Sequence, residues 1–534
     1  MSQPEAIASP RLTRRTCLKA GLGLAALAAQ GPWPTILRAE AARRPNIVFL
    51  LADDQRFDAL GCMGNREIKT PHVDRLAAEG MLFTDHYDTS PICMASRATV
   101  MTGMYEYRHG CNFSRGSLAR DMFLRSYPVL LRQAGYRTGF AGKFNMPITP
   151  QTSAAQPDNY DTLPVDQFDW FGGWPSQGFY ETAKNKYMAP YAGKYPHVSR
   201  ALGAAACDFI KGSAAQGKPF CLSISFKAPH HPYTPDPLDR GLYEGVTFSK
   251  PANWGREVAK HLPEQARRSR MFQQEFQQWS TEAGFQESLR LYYQLVNGND
   301  VAVGMIREAL QREGVADNTV IVYTSDNGWM PGDHGMGGKV FPYEGAARAP
   351  LIVYDPRHPT AHGRRCAALT GNIDMAPTIL DMAGLPIPGN MDGKSLVPLL
   401  AAPERQIRES LLLINAWPWS AESLVLSVAT PEWKYMYWFY GDATMEPAEE
   451  LYDMRKDRIE MVNEARNPEK QAVLERMRAL YDDALARART ACVQGNKYPE
   501  FLESADRRVP WSAKKWTAPV FRAAAVGPAK RKQK

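Results

Sequence analysis

Cys93 and Arg97 stand four residues apart in the stretch 90–110, with the small residue Ala95 between them and Thr102-Gly103 one short helical run later. Pro91 before and Ser96-Arg97 after give Cys93 the setting of a loop feeding a helix start, where backbone N–H groups and Arg97 favour negative charge. A cysteine alone is commonly a small buried hydrophobe, so its chemistry depends on what else the chain supplies. Two polar pairs, Asp53-Asp54 and Asp326-Asn327, supply oxygens. Adjacent carboxylates repel unless a cation or several donors neutralise them. Three carboxylates and one amide oxygen make a hard set suited to Ca²⁺ or Mg²⁺. Positive charge for an anionic substrate could come from Lys143 in Gly142-Lys143-Phe144-Asn145 and from Lys339, which follows Asp333-His334-Gly335 and precedes Tyr343-Glu344. Ala228-Pro229-His230-His231-Pro232 adds a histidine able to move a proton. Taken singly, each of these is unremarkable: Asp-Asn-Gly is an ordinary turn and a lone lysine an ordinary solvated charge.

Their value depends on the elements that carry them. Residues 46–51 are a continuous apolar run of strand length, the pattern of a strand buried on both faces, and they end at Asp53-Asp54. Residues 220–226 and 319–324 repeat that pattern, the second ending at Ser325-Asp326-Asn327-Gly328, and 351–354 give a fourth strand. Thr70, Pro71 and Gly80 bracket a helix as N-cap, first position and stop, and 126–135 repeat the scheme. Residues 286–313 read as a long helical region interrupted around Asn297-Gly298. Strands alternating with helices predict an α/β fold, a mostly parallel sheet flanked by helices, with sites at the carboxyl ends of the strands. Past residue 400 the short aromatic and β-branched runs 411–414, 423–430 and 433–440, then a helix over 468–486, predict a smaller C-terminal antiparallel sheet plus helix.

The bulk numbers exclude more than they assign. At 534 residues, 44% of them hydrophobic, the chain can bury a sizeable core. The net charge of +8 is a property of its ends: 507–534 hold nine Lys or Arg and no acid, and 1–41 hold five basic and two acidic residues, so the body between is about −4. Nucleic-acid binding is therefore not expected, and any pull on an anion must be local. Eight scattered cysteines (17, 62, 93, 111, 207, 221, 366 and 492) do not form a disulfide scaffold. Thr13-Arg14-Arg15-Thr16-Cys17-Leu18-Lys19, an apolar run over 20–29 and Ala39-Glu40-Ala41 have the layout of a twin-arginine signal peptide over 1–41. That predicts export by the twin-arginine machinery to the periplasm or beyond, with no membrane span after cleavage.

The order Cys-x-Ala-x-Arg…Thr-Gly resembles the signature of the formylglycine-dependent sulfatases of the alkaline phosphatase superfamily. The likeness extends from Arg44 to about Asn463 and takes in Asp374-Met375-Ala376-Pro377-Thr378, Asp392-Gly393-Lys394-Ser395-Leu396 and Glu450-Leu451-Tyr452-Asp453. It implies an alkaline-phosphatase-like fold, with a catalytic domain over 42–400 and a C-terminal subdomain over 401–490; the basic tail over 491–534 lies outside the likeness and reads as an arm or a disordered tail. It implies that a formylglycine-generating enzyme converts Cys93 to 3-oxoalanine (formylglycine), whose hydrate attacks sulfur. Asp53, Asp54, Cys93, Asp326 and Asn327 would hold the metal, usually Ca²⁺, with Mg²⁺ the alternative. Arg97 would steady the hydrate, Lys143 and Lys339 would clamp the sulfate, and His230 or Lys339 would protonate the leaving oxygen. Asn145 and His334 join Lys143 and Lys339 as expected substrate contacts. The implied substrate is a sulfated sugar, small or polymeric.

Two departures accompany the likeness. Asn145 stands where many sulfatases carry a histidine that serves as a base, and Met104 stands where a basic residue is common, with Arg108 and His109 as nearby substitutes. Two other readings keep the same fold: a phosphonate monoester or phosphodiester hydrolase of the superfamily, and a catalytically silent glycan-binding homologue.

Overall fold

The computed structural model describes residues 44–150, 162–417, 421–494 and 496–514, so the expected signal segment lies outside the described residues. The described residues form one compact unit. At its centre is β1 (Asn46–Ala52), in which every residue is buried. Ile47, Phe49 and Leu51 point into the core on one face and Val48, Leu50 and Ala52 into the core on the other, which is why its sequence is apolar without alternation. The remaining strands of its sheet are β2 (Met81–Phe83), β3 (Arg137–Lys143), β4 (Trp170–Trp174), β5 (Phe220–Ser225), β6 (Thr319–Ser325), β7 (Leu351–Tyr354) and β8 (Arg364–Cys366). Their order is β8-β2-β7-β6-β1-β5-β3-β4. From β6 to β4 the pairs are parallel, with Leu51 opposite both Ser225 and Thr324, so these strands end together on one edge. β7 runs antiparallel to both its neighbours.

The helices α1 (Pro71–Ala78), α4 (Val198–Ala214) and α5 (Glu282–Arg312) cover one face of the sheet, while α2 (Cys93–Thr102), α3 (Tyr127–Gln133) and α6 (Met375–Met382) cover the other. Two local expectations are corrected. α5 is continuous through Asn297-Gly298, because the polar residues there reach out to other elements instead of breaking the helix. Asn297 Nδ2 donates to the Lys69 carbonyl at 3.1 Å, Asn299 Nδ2 to the Ala228 carbonyl at 2.8 Å, and Asp300 Oδ1 accepts from the Val73 amide at 2.7 Å. Thr70 precedes α1 but its hydroxyl does not cap the helix; it donates to Asp74 and accepts from the Gly61 amide.

The C-terminal sheet is an antiparallel meander of β9 (Leu411–Asn415), β10 (Val425–Ala429), β11 (Trp433–Trp438) and β12 (Ala448–Asp453). One face packs on α7 (Gln471–Ala491) and α8 (Tyr498–Ser504). The other places Val425, Met436, Trp438 and Tyr452 against Ile92, Ala95, Phe341 and Tyr343, the surroundings of Cys93 and Lys339. Helix α8 shows that order continues beyond residue 491: the Tyr498 hydroxyl donates to Glu106, and Arg115 lies over the Tyr498 and Phe501 rings at 5.1 and 4.7 Å. The seven cysteines among the described residues are free, and no described helix is long and apolar enough to cross a membrane.

Candidate active site

The parallel strands deliver the site. β1 ends at Asp53-Asp54, β6 at Asp326-Asn327, β3 at Lys143 and β5 three residues before the His230 segment, all at the carboxyl edge of the sheet. Gly142 has φ +102°, and a Cβ there would collide with the Ser225 carbonyl, so only glycine lets β3 approach β5 closely enough to bury Lys143. Cys93 is the first residue of α2 and Arg97 lies one turn later on the same side. The loops are tied at their backbones. The Ala228 carbonyl accepts from the Asp53 amide at 3.1 Å as well as from Asn299, the Asp54 amide donates to Asp326 Oδ1 at 3.2 Å, and the Tyr292 hydroxyl donates to the Asp54 carbonyl at 2.7 Å.

Cys93 Sγ lies 3.4 Å from Asp53 Oδ1 and 4.0 Å from Asp54 Oδ1. Lys339 Nζ donates to that sulfur at 2.7 Å and also to Asp54 Oδ1. Lys143, with no exposed side-chain surface, pairs with Asp53 Oδ2 at 2.5 Å. The Arg97 guanidinium joins most of the set: Nε donates to Asp326 Oδ2 at 2.8 Å, one terminal nitrogen lies 2.7 Å from Asp326 Oδ2 and 3.6 Å from Asp53, and the other donates to the Lys143 carbonyl at 2.6 Å and Ser225 Oγ at 2.7 Å.

Burial alone would raise the Asp53 carboxyl, but Lys143 and Arg97 hold it well below the ordinary carboxylate value. Asp326 is pushed up to about 6 by burial and by Asp53. Burial and then Asp53 also push the Cys93 thiol up to about 12, so the encoded cysteine is a poor nucleophile at neutral pH. Burial drives His230 well below the ordinary histidine value. Its Nδ1 bonds to the His231 carbonyl, which fixes the proton there and leaves the Nε2 lone pair, 3.7 Å from Asp54 Oδ2, on the side of the cluster.

The donor set fits a hard divalent cation. Ligand atoms from Asp53, Asp54, Cys93 and His230 all lie within 4.8 Å of one another. Asp54 Oδ2 and Asn327 Oδ1 are buried without a hydrogen-bond partner, while Asn327 Nδ2 donates to Asp54 Oδ1 at 2.7 Å and so sets the amide beside the carboxylates. Asp326, expected as a ligand, also accepts from Arg97 and the Asp54 amide, and His230, expected as an acid, presents its ring to the same cluster.

Other expected contacts fall elsewhere. His334 is 1% exposed, its ring lies 5.5 Å from that of His261 and 5.1 Å from that of Tyr343, and its Nε2 meets Asn253 at 3.2 Å. It belongs to the packing between the Lys339 loop and the C-terminal sheet, and none of its contacts reach the cluster. Asn145 is buried at positive φ with Nδ2 unpartnered, two residues beyond Lys143. Arg108 and His109 do not substitute at Met104: Arg108 is paired with Asp392 at 2.8 Å, and His109 is buried with its nitrogens on Thr99 and the Cys111 amide. The sequence reading missed Lys227. It is 4% exposed, lies over the Tyr180 ring at 4.8 Å, and is lowered to about 8 by burial and by Lys143. Its position beside the histidine motif was the available signal; its depth was not.

Comparison with known proteins agrees with this geometry. The family model "Sulfatase" matches residues 45–385, and "N-sulphoglucosamine sulphohydrolase, C-terminal" matches 332–486. The chain is 28% identical over 487 residues to the N-acetylglucosamine-6-O-sulfatase of Bacteroides thetaiotaomicron, covering 79% of this chain and 83% of that protein. It is similar to a solved complex containing the substrate D-glucosamine-2-N,6-O-disulfate, with TM-score 0.69, 25% identity and coverage of 84% and 99%. The phosphonate monoester hydrolase of Agrobacterium radiobacter shares the fold, with TM-score 0.66, 24% identity and coverage of 84% and 96%. A buried cysteine among strand-end carboxylates and lysines, inside a family match that takes in every residue of that cluster, makes this chain a member of the sulfatase family of the alkaline phosphatase superfamily, an enzyme that hydrolyses sulfate esters.

Proposed function

We propose that the chain is an exported sulfatase that removes sulfate from a sulfated sugar, free or within a polysaccharide, using formylglycine made from Cys93 and a bound divalent cation. The observation that carries this reading is Cys93 Sγ set 3.4 Å from Asp53 Oδ1 and 2.7 Å from Lys339 Nζ, with a thiol too buried to ionise. The N-acetylglucosamine-6-O-sulfatase relative and the solved complex with D-glucosamine-2-N,6-O-disulfate support an amino-sugar sulfate as the substrate class. Export through the twin-arginine machinery is read from 13–41 alone, and modification by a formylglycine-generating enzyme from the motif at Cys93. In this reading 42–400 is the catalytic domain and 401–490 the C-terminal subdomain, to whose core α8, in the segment from 491, adds Tyr498, Phe501 and Leu502.

The hydrated aldehyde would supply a nucleophilic oxygen and a second hydroxyl for release of sulfate, and Asp53, Asp54 and Asn327 with Asp326 or His230 would hold a cation that neutralises the charge gathered there. The protein's own side chains do the remainder. Arg97 keeps Asp326 and Asp53 from repelling each other and fixes the end of β3 through the Lys143 carbonyl. Lys143 and Lys339 present two ammonium groups to the nonbridging oxygens of the ester. Lys339, in contact with the reacting atom, delivers a proton to the leaving oxygen. His230 holds its proton on Nδ1, and burial keeps the ring neutral with its Nε2 lone pair turned to the cluster.

Parallel assays of an aryl sulfate and an aryl phosphodiester, on protein made with and without a formylglycine-generating enzyme, test this. The reading expects sulfate turnover that rises with the fraction of the Cys93 peptide carrying formylglycine. Phosphodiester turnover far above sulfate turnover, or full activity in Cys93→Ala, overturns it.

A further inference from the structure

We infer that Lys434, on the C-terminal sheet, is a positioning residue that holds Lys339 against Cys93. Lys434 has no exposed side-chain surface and lies on β11, which contributes nothing to the ligand cluster. Its Nζ donates to the Pro342 carbonyl at 3.0 Å, to Glu344 Oε1 at 2.6 Å and to Glu460 Oε1 at 2.9 Å. Glu460 in turn accepts from the Glu344 amide at 2.8 Å through its other oxygen. Glu450 of β12 accepts from the Tyr343 hydroxyl at 3.0 Å and from Trp438 Nε1 at 2.6 Å. Three consecutive residues, Pro342-Tyr343-Glu344, are therefore gripped from the C-terminal sheet by buried charge-assisted bonds.

That grip matters because of what lies between it and the site. Gly338, at φ +89°, and Val340, at φ +83°, flank Lys339. A β-branched residue at positive φ is a genuine backbone outlier and persists only where its surroundings over-determine it. Here the Val340 amide donates to the Pro91 carbonyl, two residues before Cys93, at 3.2 Å. The short run 338–344 is thus pinned at one end to the loop that starts the Cys93 helix and at the other to Lys434. That sets the Lys339 backbone beside Cys93, where its ammonium meets Cys93 Sγ and Asp54 Oδ1. Neither end of this brace is visible from Lys339 itself, and the acceptors of Lys434 are satisfied without any contact to substrate.

The inference rests on the reading of Lys339 as an active-site lysine, and the experiment separates the two. Using modified full-length enzyme, kcat and KM are measured for an aryl sulfate and for glucosamine 6-O-sulfate in Lys339→Ala, Lys434→Met, Tyr343→Phe and the double variants with Lys339→Ala. Loss of a positioned general acid costs on the order of 10²-fold, and that loss is expected in kcat and more strongly on the sugar ester, whose leaving alcohol needs the proton. Lys434→Met is expected to show the same selectivity, Tyr343→Phe a milder form of it, and either one is expected to add less than about threefold to Lys339→Ala, because residues acting as one unit are non-additive. Losses that multiply in the double variants overturn the positioning of Lys339 by this sheet. Equal loss on both esters in Lys339→Ala overturns the acid role of Lys339 and leaves the coupling to be read from the double variants. Should Lys434→Met not fold, Tyr343→Phe removes only the hydroxyl that bonds both Glu450 oxygens, and its coupling to Lys339→Ala decides.

Discussion

Replacing Arg97 by methionine is the most revealing single change, because one guanidinium holds so much of the cluster. The side chain is 2% exposed and its partners, Asp326, Asp53, the Lys143 carbonyl and Ser225, come from the ends of four strands or strand loops. Methionine fills most of the volume and removes the charge, leaving Asp53 and Asp326 facing each other with Lys143 as the nearest compensation. Removing one partner of a buried ion pair costs about 3–5 kcal/mol. For a body of this size, with an unfolding entropy near ~2.1 cal/mol/K per residue, each kcal/mol moves the midpoint by about 1 °C, so thermal unfolding of the metal-free protein should begin about 3–5 °C lower. Turnover of an aryl sulfate should fall about 10²–10³-fold, the cost of losing one preorganised charge beside a developing anion. Arg97→Lys should recover part of the midpoint and little of the rate, since an ammonium cannot make the forked contact to Asp326 while also reaching the Lys143 carbonyl. Calorimetry and initial rates on the three proteins decide. An unchanged midpoint with retained turnover in Arg97→Met would show that the guanidinium does not organise these carboxylates.

Three further outcomes follow from the geometry. Asn327→Ala removes an unpartnered buried oxygen beside Asp54 and should weaken calcium binding by about 10–100-fold in a titration, against unchanged affinity if the amide only closes a turn. His86 and His109 are lowered by burial to about 4 and about 3, so both are neutral in the fold. Their folded values lie below the unfolded one, so the stability they confer is present above pH ~6.5 and is lost as pH falls towards 3–4, at about 1.4 kcal/mol per pH unit for each. The urea midpoint should drop between pH 7 and pH 5 and drop less in His109→Gln; an identical slope in that variant excludes it as a source. Lys227→Met should stabilise the protein at pH 7 and lose that advantage by pH 10, because burial and Lys143 disfavour the charged amine; a midpoint difference independent of pH would refute the assignment.

Much of the site was legible because its residues sit at the ends of strands buried on both faces, and such strands announce themselves as unbroken apolar runs. The antiparallel course of β7 was not legible, since a strand buried on both faces carries no mark of its direction. The continuity of α5 through Asn297-Gly298 was hidden for a different reason. Side chains that resemble a break when read along the chain are satisfied across space, and one of them, Asn299, steadies the carbonyl preceding the His230 segment. His334 looked like a site residue because it lies close in sequence to Lys339, but the turn between them sends it into the C-terminal interface. The tail was judged by its charge, which concealed Tyr498 and Phe501 as core residues.

Helix α8 has a consequence in time. Its Tyr498 and the nearby Val493 and Asn496 bond to Glu106, Tyr107 and Gly110, directly after the helix that Cys93 begins. A ribosome releases the Cys93 stretch some four hundred residues before it releases that closing piece. Throughout this interval residues 106–110 lack those partners, and the modification proposed for Cys93, which is 2% exposed in the finished chain, has that interval in which to occur.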